Sequence, residues 1–284
     1  MLTGYCNGQF METGEMSVSL DNLGINRGYG AFDFFSVINH KPFYLERHLN
    51  RFMRTIELLR LDIPNKRDEI KSLIEETIHR NPISDYHIKL FVLPLNPESA
   101  INLKSGLYIL PVKVTPYDDE LYSKGARIIT KKYTRFLPEA KSTNYLPMVF
   151  WYTELTEQHA ADILYLTDQS VGETTSSNIF MVKNGIVYTP GKNVLKGITR
   201  SIVADILNEW SVKLIEDEIS IHDLLNADEI FLSSSTKKIM PVVEIDGKKI
   251  GDGSVGQITK RLMTEYKQIQ KDFGNRDYSD FYMA

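Results

Sequence analysis

Along the first part of the chain, apolar positions recur with a helical period and then with the spacing of strands. Between Glu46 and Leu61, the residues Leu49, Phe52, Met53, Ile56 and Leu59 share a helical face, and Ile70, Leu73, Ile74 and Ile78 do so next. This pattern predicts two amphipathic helices. The runs FSVI, HIKLFVL and GLYILPVKV are rich in β-branched and aromatic residues and bounded by Asn, Pro or Gly, which predicts strands. An α+β domain is therefore expected over residues 1-115. The polar stretch TPYDDELYSKG contains Pro and Gly and separates two periodic regions, so residues 116-125 are taken as a linker and 126-284 as a second domain. There, NIFMVKNGIVYTP predicts a hairpin turning at Asn184-Gly185, and VVEIDGKKI another at Asp246-Gly247. Helices are expected at Thr199 to Trp210 and at Val255 to Phe273, where Ile258, Leu262 and Tyr266 share a face. The second domain thus reads as β-rich with flanking helices.

Composition narrows the class of protein. A chain of 284 residues can bury two cores. Its 42% apolar and 25% charged residues match an ordinary globular protein. The net charge of -4, with Lys and Arg scattered among acids, argues against a nucleic-acid partner. The single cysteine, Cys6, cannot pair internally, and no Cys/His cluster has metal-ligand spacing, so a reducing compartment and no metal are expected. The opening lacks a basic segment followed by an apolar run, and no stretch approaches the roughly 18 apolar residues of a membrane span. A cytoplasmic protein without a membrane partner is the expectation.

Several segments could carry chemistry. Lys141 lies in PEAKSTNYLPMVFWY, where small and polar residues adjoin an apolar helix start. That setting desolvates the amine and favours the neutral form that Schiff-base chemistry requires. In VGETTSSNIF, a lone Glu173 precedes small hydroxylic residues and an apolar strand; it is either a placed carboxylate or an exposed turn acid. In VLKGITRSIVADIL, Gly197 and Thr199 open a helix, which suits a phosphate and equally suits a plain cap. The run SSST at 233 to 236 offers more hydroxyls after the strand DEIFL, and Arg51 follows His48 by one helical turn in ERHLNRF. A guanidinium there can meet a phosphate or simply be solvated.

Taken in order, NGQF, GYGAFDFF, HLNRF, KSTNYL, GETTSSNIF, LKGITR and DEIFLSSSTKKIMPV resemble the class IV aminotransferases, a family that includes branched-chain amino acid aminotransferase, D-amino acid aminotransferase and aminodeoxychorismate lyase. The resemblance implies the two-domain fold type IV, with an α+β N-terminal domain and a β-barrel-like C-terminal domain, usually in a homodimer, and pyridoxal 5'-phosphate (PLP) as cofactor. It assigns Lys141 to the Schiff base, Tyr145 to the cofactor's phenolic oxygen and Glu173 to the pyridine nitrogen. It gives the phosphate to Arg51, Ile198, Thr199, Ser234 and Ser235, and one ring face to Leu195. The implied reaction moves an amino group from an amino acid, with branched-chain amino acids among the candidates, to a 2-oxo acid. The alternative is lyase chemistry of the aminodeoxychorismate type, which releases pyruvate.

The chain departs from the family pattern where substrate is chosen. GYGAFDFF replaces a GDGVFE-like segment, so Phe32 keeps the aromatic while Asp33 shortens the acid. Arg27 stands where the branched-chain enzymes tend to have a tyrosine, and is available to a substrate carboxylate. Lys89 replaces the arginine of YIR, so it can pair with a carboxylate but not as a bidentate fork. Phe32, Phe34 and Phe35 suggest an apolar pocket, yet strand alternation allows only some of them to line it.

Overall fold

The computed structural model describes residues 1–95, 103–168 and 170–275. In chain order the first elements are β1 (Thr3–Cys6), β2 (Gln9–Glu12), α1 (Leu23–Arg27), β3 (Ala31–Ile38), β4 (Lys41–Pro42), α2 (Leu45–Leu58), β5 (Leu61–Asp62), α3 (Arg67–His79), β6 (Tyr86–Pro94) and β7 (Leu103–Val112). There follow α4 (Glu120–Ser123), β8 (Ala126–Lys132), α5 (Leu146–Phe150), α6 (Tyr152–Glu157), β9 (Asp162–Leu166), β10 (Val171–Thr174), β11 (Asn178–Lys183) and β12 (Ile186–Pro190). The chain continues through α7 (Ile198–Glu209), β13 (Leu214–Asp217), α8 (Ile221–Leu225), β14 (Glu229–Ser234), β15 (Lys238–Ile245), β16 (Lys248–Lys249) and α9 (Gln257–Asn275).

Two compact units emerge. The first comprises Met1–Thr115, Ala140–Tyr145 and the described residues from Gln270 onward; the second comprises Pro116–Glu139 and Leu146–Ile269. In the first, the sheet runs β2-β1-β7-β6-β3-β4, with β5 paired to β7. Alternate residues divide its two faces. Ala31, Asp33, Phe35 and Val37 of β3, with Ile88, Leu90 and Val92 of β6, are buried on the side where α2 meets β3. Leu49, Phe52, Ile70 and Ile74 complete that core from α2 and α3, all at 0% exposure. The opposite face carries half-buried Phe32 and Phe34 beside His87, Lys89 and Phe91. Of the three phenylalanines, Phe35 is therefore core.

In the second unit the sheet runs β10-β9-β8-β15-β14-β11-β12-β13, with β16 on β15. It curls back on itself: the Val171 N–H donates to the Ile219 carbonyl at 2.8 Å, and Ser170 bridges Ser220. Ile128, Leu164, Ile179, Ile230, Leu232 and Met240 fill the interior. The hairpins turn where the sequence placed them, with Asn184, Gly185, Asp246 and Gly247 at φ of 51, 76, 47 and 78°, the left-handed region that such turns require.

Three local expectations are corrected. The first long helix stops at Leu58, and Leu61 belongs to a strand, because Arg60 at φ 52° reverses the chain. The stretch read as linker contains the short helix α4. Residues Ala140–Tyr145, assigned by the sequence to the second domain, cluster with the first unit, because they hydrogen-bond to the start of β3. Among the described residues, no helix is long and apolar enough to cross a membrane, and no cluster of His, Cys, Asp or Glu could hold a metal ion.

Candidate active site

In the first unit, the segment around Lys141 is fixed through its backbone. The Phe32 N–H donates to the Lys141 carbonyl at 2.9 Å, Thr143 N–H donates to the Gly30 carbonyl at 2.8 Å, and Thr143 Oγ1 donates to the Gly28 carbonyl at 3.0 Å. The Lys141 N–H donates to Thr55 Oγ1 on α2 at 3.2 Å. Gly30 permits this approach, since a Cβ there would lie 2.5 Å from Leu93 Cδ2 and 3.2 Å from both Thr143 Oγ1 and the Val92 carbonyl. With its backbone held, the half-buried Lys141 brings Nζ to 4.4 Å from the Phe32 ring centroid. The Tyr145 ring meets Phe32 edge-on at 5.4 Å. Lys141, Tyr145 and Phe32 thus form one group.

Beside them, α2 and β3 bury a charged cluster that sequence reading noticed only as a shortened acid. Asp33 is fully buried; its oxygens accept Arg51 Nε at 2.9 Å and Arg51 Nη2 at 2.8 Å, while His48 Nδ1 lies 2.7 Å from Oδ1. Burial alone would push the Asp33 carboxyl up, but the Arg51 guanidinium and His48 outweigh it and hold the group well below the usual carboxylate range. Burial pushes His48 down, with Asp33 pulling the other way. A neutral His48 therefore donates from Nδ1 to an ionised Asp33, and the fork of Arg51 is set by a planar bidentate pair. The signal was the i, i+3 spacing of His48 and Arg51 on α2 opposite an acid on an inward-facing strand position.

Of the tentative substrate residues, Lys89 lies across from Phe34 in the β3–β6 register, with Nζ 5.9 Å from the Phe34 ring and 5.8 Å from that of Phe91. It shares the half-buried face with Phe32. Arg27 is exposed at the end of α1, with Nη1 bonded to the Asn26 carbonyl at 2.9 Å, so it is not part of the Lys141 group.

The second unit holds the remaining candidates. Glu173, on β10, is 6% exposed, so the bland reading of an exposed turn acid fails. Its Oε2 accepts the Leu195 N–H at 3.0 Å, and Oε1 lies 3.2 Å from Arg135 Nε. Arg135 also donates to the Thr175 carbonyl. Sequence reading missed Arg135; its position six residues before Lys141, in YTRFLPEAK, is the only signal that could have found it. The Leu195 carbonyl accepts Asn178 Nδ2 at 2.7 Å, and a Cβ on Gly197 would lie 2.2 Å from Asn178 Oδ1. Only glycine fits there.

Gly197 is the N-cap of α7 and supplies no side-chain cap. The first turn, with buried Ile198 and Thr199, therefore keeps orphan N–H groups. Ser233 pairs with Asn178 in the β11–β14 register and so faces the same side of the sheet; its Oγ is buried without a hydrogen-bond partner. Ser234 Oγ accepts the Lys237 N–H at 3.1 Å, and Ser235 is half-buried. Orphan helix donors beside an unsatisfied hydroxyl are the chemistry of an anion site, and a phosphate fits them. A buried carboxylate held from two sides fits a protonated ring nitrogen.

Each unit by itself carries a placed group: the curled sheet of the second a buried carboxylate, Glu173, and the first a half-buried lysine, Lys141. The family model "Amino-transferase class IV" matches residues 30–245. A Methanocaldococcus jannaschii protein provisionally named a branched-chain-amino-acid aminotransferase is 32% identical over 97% of this chain and 99% of its own. D-alanine aminotransferase of Listeria monocytogenes is 26% identical over 96% and 98%. Among solved structures, a "T.th." branched-chain amino acid aminotransferase with pyridoxamine 5'-phosphate superposes with a TM-score of 0.88 at 25% identity, covering 95% of this chain and 94% of that one. The chain belongs to the class IV aminotransferase family. It is a transaminase of fold type IV. The lyase alternative is not favoured, since the matching family model and these relatives are aminotransferases.

Proposed function

We propose that this aminotransferase uses PLP, held covalently by Lys141, to move an amino group from an amino acid with an apolar side chain, of the branched-chain kind, to a 2-oxo acid. The observation that carries the reading is the Lys141 amine 4.4 Å from the Phe32 ring, on a backbone pinned to β3 and α2. When bound, the cofactor supplies an electron sink for the charge left as a substrate α-proton departs. With its Nζ free, Lys141 would accept and return that proton as general base and acid. Glu173, its oxygens oriented by Arg135 and the Leu195 N–H, would accept a hydrogen bond from a protonated pyridine nitrogen. Arg51, the N–H groups at Ile198 and Thr199, the Thr199 hydroxyl, Ser234 and Ser235 would hold the phosphate. Leu195 would cover a ring face, and Tyr145 would bond the phenolic oxygen.

For the substrate, Phe32 supplies apolar surface and Lys89 a cation for a carboxylate. Arg27 can meet a carboxylate only from its exposed position. The name of the Methanocaldococcus jannaschii relative supports the branched-chain donor. We infer a homodimer, supported by the apolar Leu146, Val149 and Phe150 of α5, at 73, 69 and 75% exposure, which a second copy would cover. The single Cys6 supports a reducing compartment, and we place the enzyme in the cytoplasm.

The visible spectrum tests the core of this reading. Purified protein given PLP is expected to turn yellow and to change absorbance when L-leucine or another apolar amino acid is added; Lys141→Ala should lose the covalent attachment. A protein that takes up no PLP overturns it, as does pyruvate release from an aminodeoxychorismate-type substrate with no amino-group transfer to 2-oxoglutarate.

A further inference from the structure

One buried charge pair lies outside the machinery just described, yet ties two of its segments together within the second unit. Lys237 Nζ lies 2.9 Å from Asp162 Oδ2, with the two side chains 3% and 1% exposed. Asp162 opens β9. Its Oδ1 accepts the Thr175 N–H at 3.2 Å and the Thr175 hydroxyl at 2.5 Å, and its Oδ2 accepts the Thr174 hydroxyl at 2.8 Å. Lys237 Nζ also donates to Ser176 Oγ at 2.9 Å. Its backbone N–H, meanwhile, donates to Ser234 Oγ at 3.1 Å. A single residue therefore grips the turn that follows Glu173 with its ammonium and sets the turn of Ser234 and Ser235 with its main chain.

Stability alone does not explain such a pair. Removing two charges from water costs several kcal/mol each, and well-packed apolar residues of similar volume often do as well or better. The polar partners here instead fix geometry: among the described residues, every donor to Asp162 other than Lys237 and the Ile163 N–H comes from residues 174 to 177, directly after Glu173. We propose that Asp162 and Lys237 are positioning residues that set the span between the Glu173 carboxylate and the Ser234–Ser235 hydroxyls. They thereby gauge the length of the ligand, an aromatic ring with a nitrogen at one end and a phosphate at the other. The inference rests on the function proposed above.

The test compares PLP with pyridoxal, which lacks the phosphate, in equilibrium titrations of the apoprotein. In the charge-free double variant Asp162→Asn/Lys237→Met, the thermal midpoint should stay close to that of the wild type. PLP should bind about tenfold more weakly, the lower end of what losing an outer partner costs at metal sites. Pyridoxal affinity should change little, because it does not need both ends of the span. The conservative Lys237→Arg should keep most of the PLP preference. Equal losses for PLP and pyridoxal, or an unchanged PLP affinity, overturn the inference. Should the double variant fail to fold, Ser176→Ala, which removes one bond to Lys237 without stranding a charge, should show the same selective loss in smaller measure; its absence is equally fatal. A wild-type protein that binds no PLP overturns the proposed function instead.

Discussion

At the scale of single residues, the Asp33–His48–Arg51 cluster makes stability depend on pH. The unfolded His48 takes a proton below 6.5, whereas burial keeps the folded imidazole neutral to lower pH, so unfolding binds protons there. Stability should decline as pH falls from about 6.5 toward the folded value. Asp33 adds a second loss with the same sign. Held ionised when folded, it contributes fully above its ordinary 3.8 and gives that up as pH falls through the lower folded value. Asp162, also held low against the raising effect of burial, by Lys237 above all, loses its contribution in the same acid range. Urea midpoints from pH 8 to 3 should show the first phase and the onset of the second, and His48→Gln should remove the first; a profile unchanged by that substitution would contradict the assignment. Asp33→Asn strands the Arg51 charge and should cost about 3–5 kcal/mol, read from the same titrations. Much of this was hidden in the sequence. Lys141 and Glu173 could be picked out because small and apolar neighbours isolate them, whereas Arg135 and Lys237 look like surface cations until folding buries them.

Among the elements, legibility followed locality. The two hairpins were readable because Asn-Gly and Asp-Gly state their own backbone geometry, and α2, α3, α7 and α9 because one face of each repeats with the helical period. By contrast, β3 begins at Ala31, not at Phe35 where FSVI suggested, since its first residues are recruited by contacts with β6 and with residues 141 to 143. Pairings made across such sequence distances leave no local pattern. The start of α9 is a further example: no residue at its own N-terminus announces the cap. Glu229 of β14 accepts the Ile258 N–H at 3.0 Å, the Thr259 N–H at 2.8 Å and the Thr259 hydroxyl at 2.7 Å. Glu229→Ala should lower stability by about 1–2 kcal/mol, as the loss of a good helix cap does, measured by thermal unfolding. No change would mean that water replaces the carboxylate at no cost.

For the whole molecule, the exposed apolar face of α5 makes assembly the sharpest prediction. Phe150→Glu should convert a dimer, seen by sedimentation or light scattering, into a monomer, while leaving the far-UV circular dichroism unchanged; a wild-type monomer would refute the dimer. The return of Ala140–Tyr145 to the first unit was not readable in the sequence, since it rests on a few hydrogen bonds to Gly28, Gly30 and Phe32. That return means the first unit is not a continuous stretch of chain. A ribosome that has delivered only residues 1–115 has made all seven strands of its sheet but not the segment that bonds to the beginning of β3. Lys141 thus lies in sequence among the residues of the second unit while folding as part of the first. Any exchange of N-terminal units between relatives at residue 115 must join a strand from one parent to a lysine segment from the other, so such chimaeras should fold only where those few residues remain compatible.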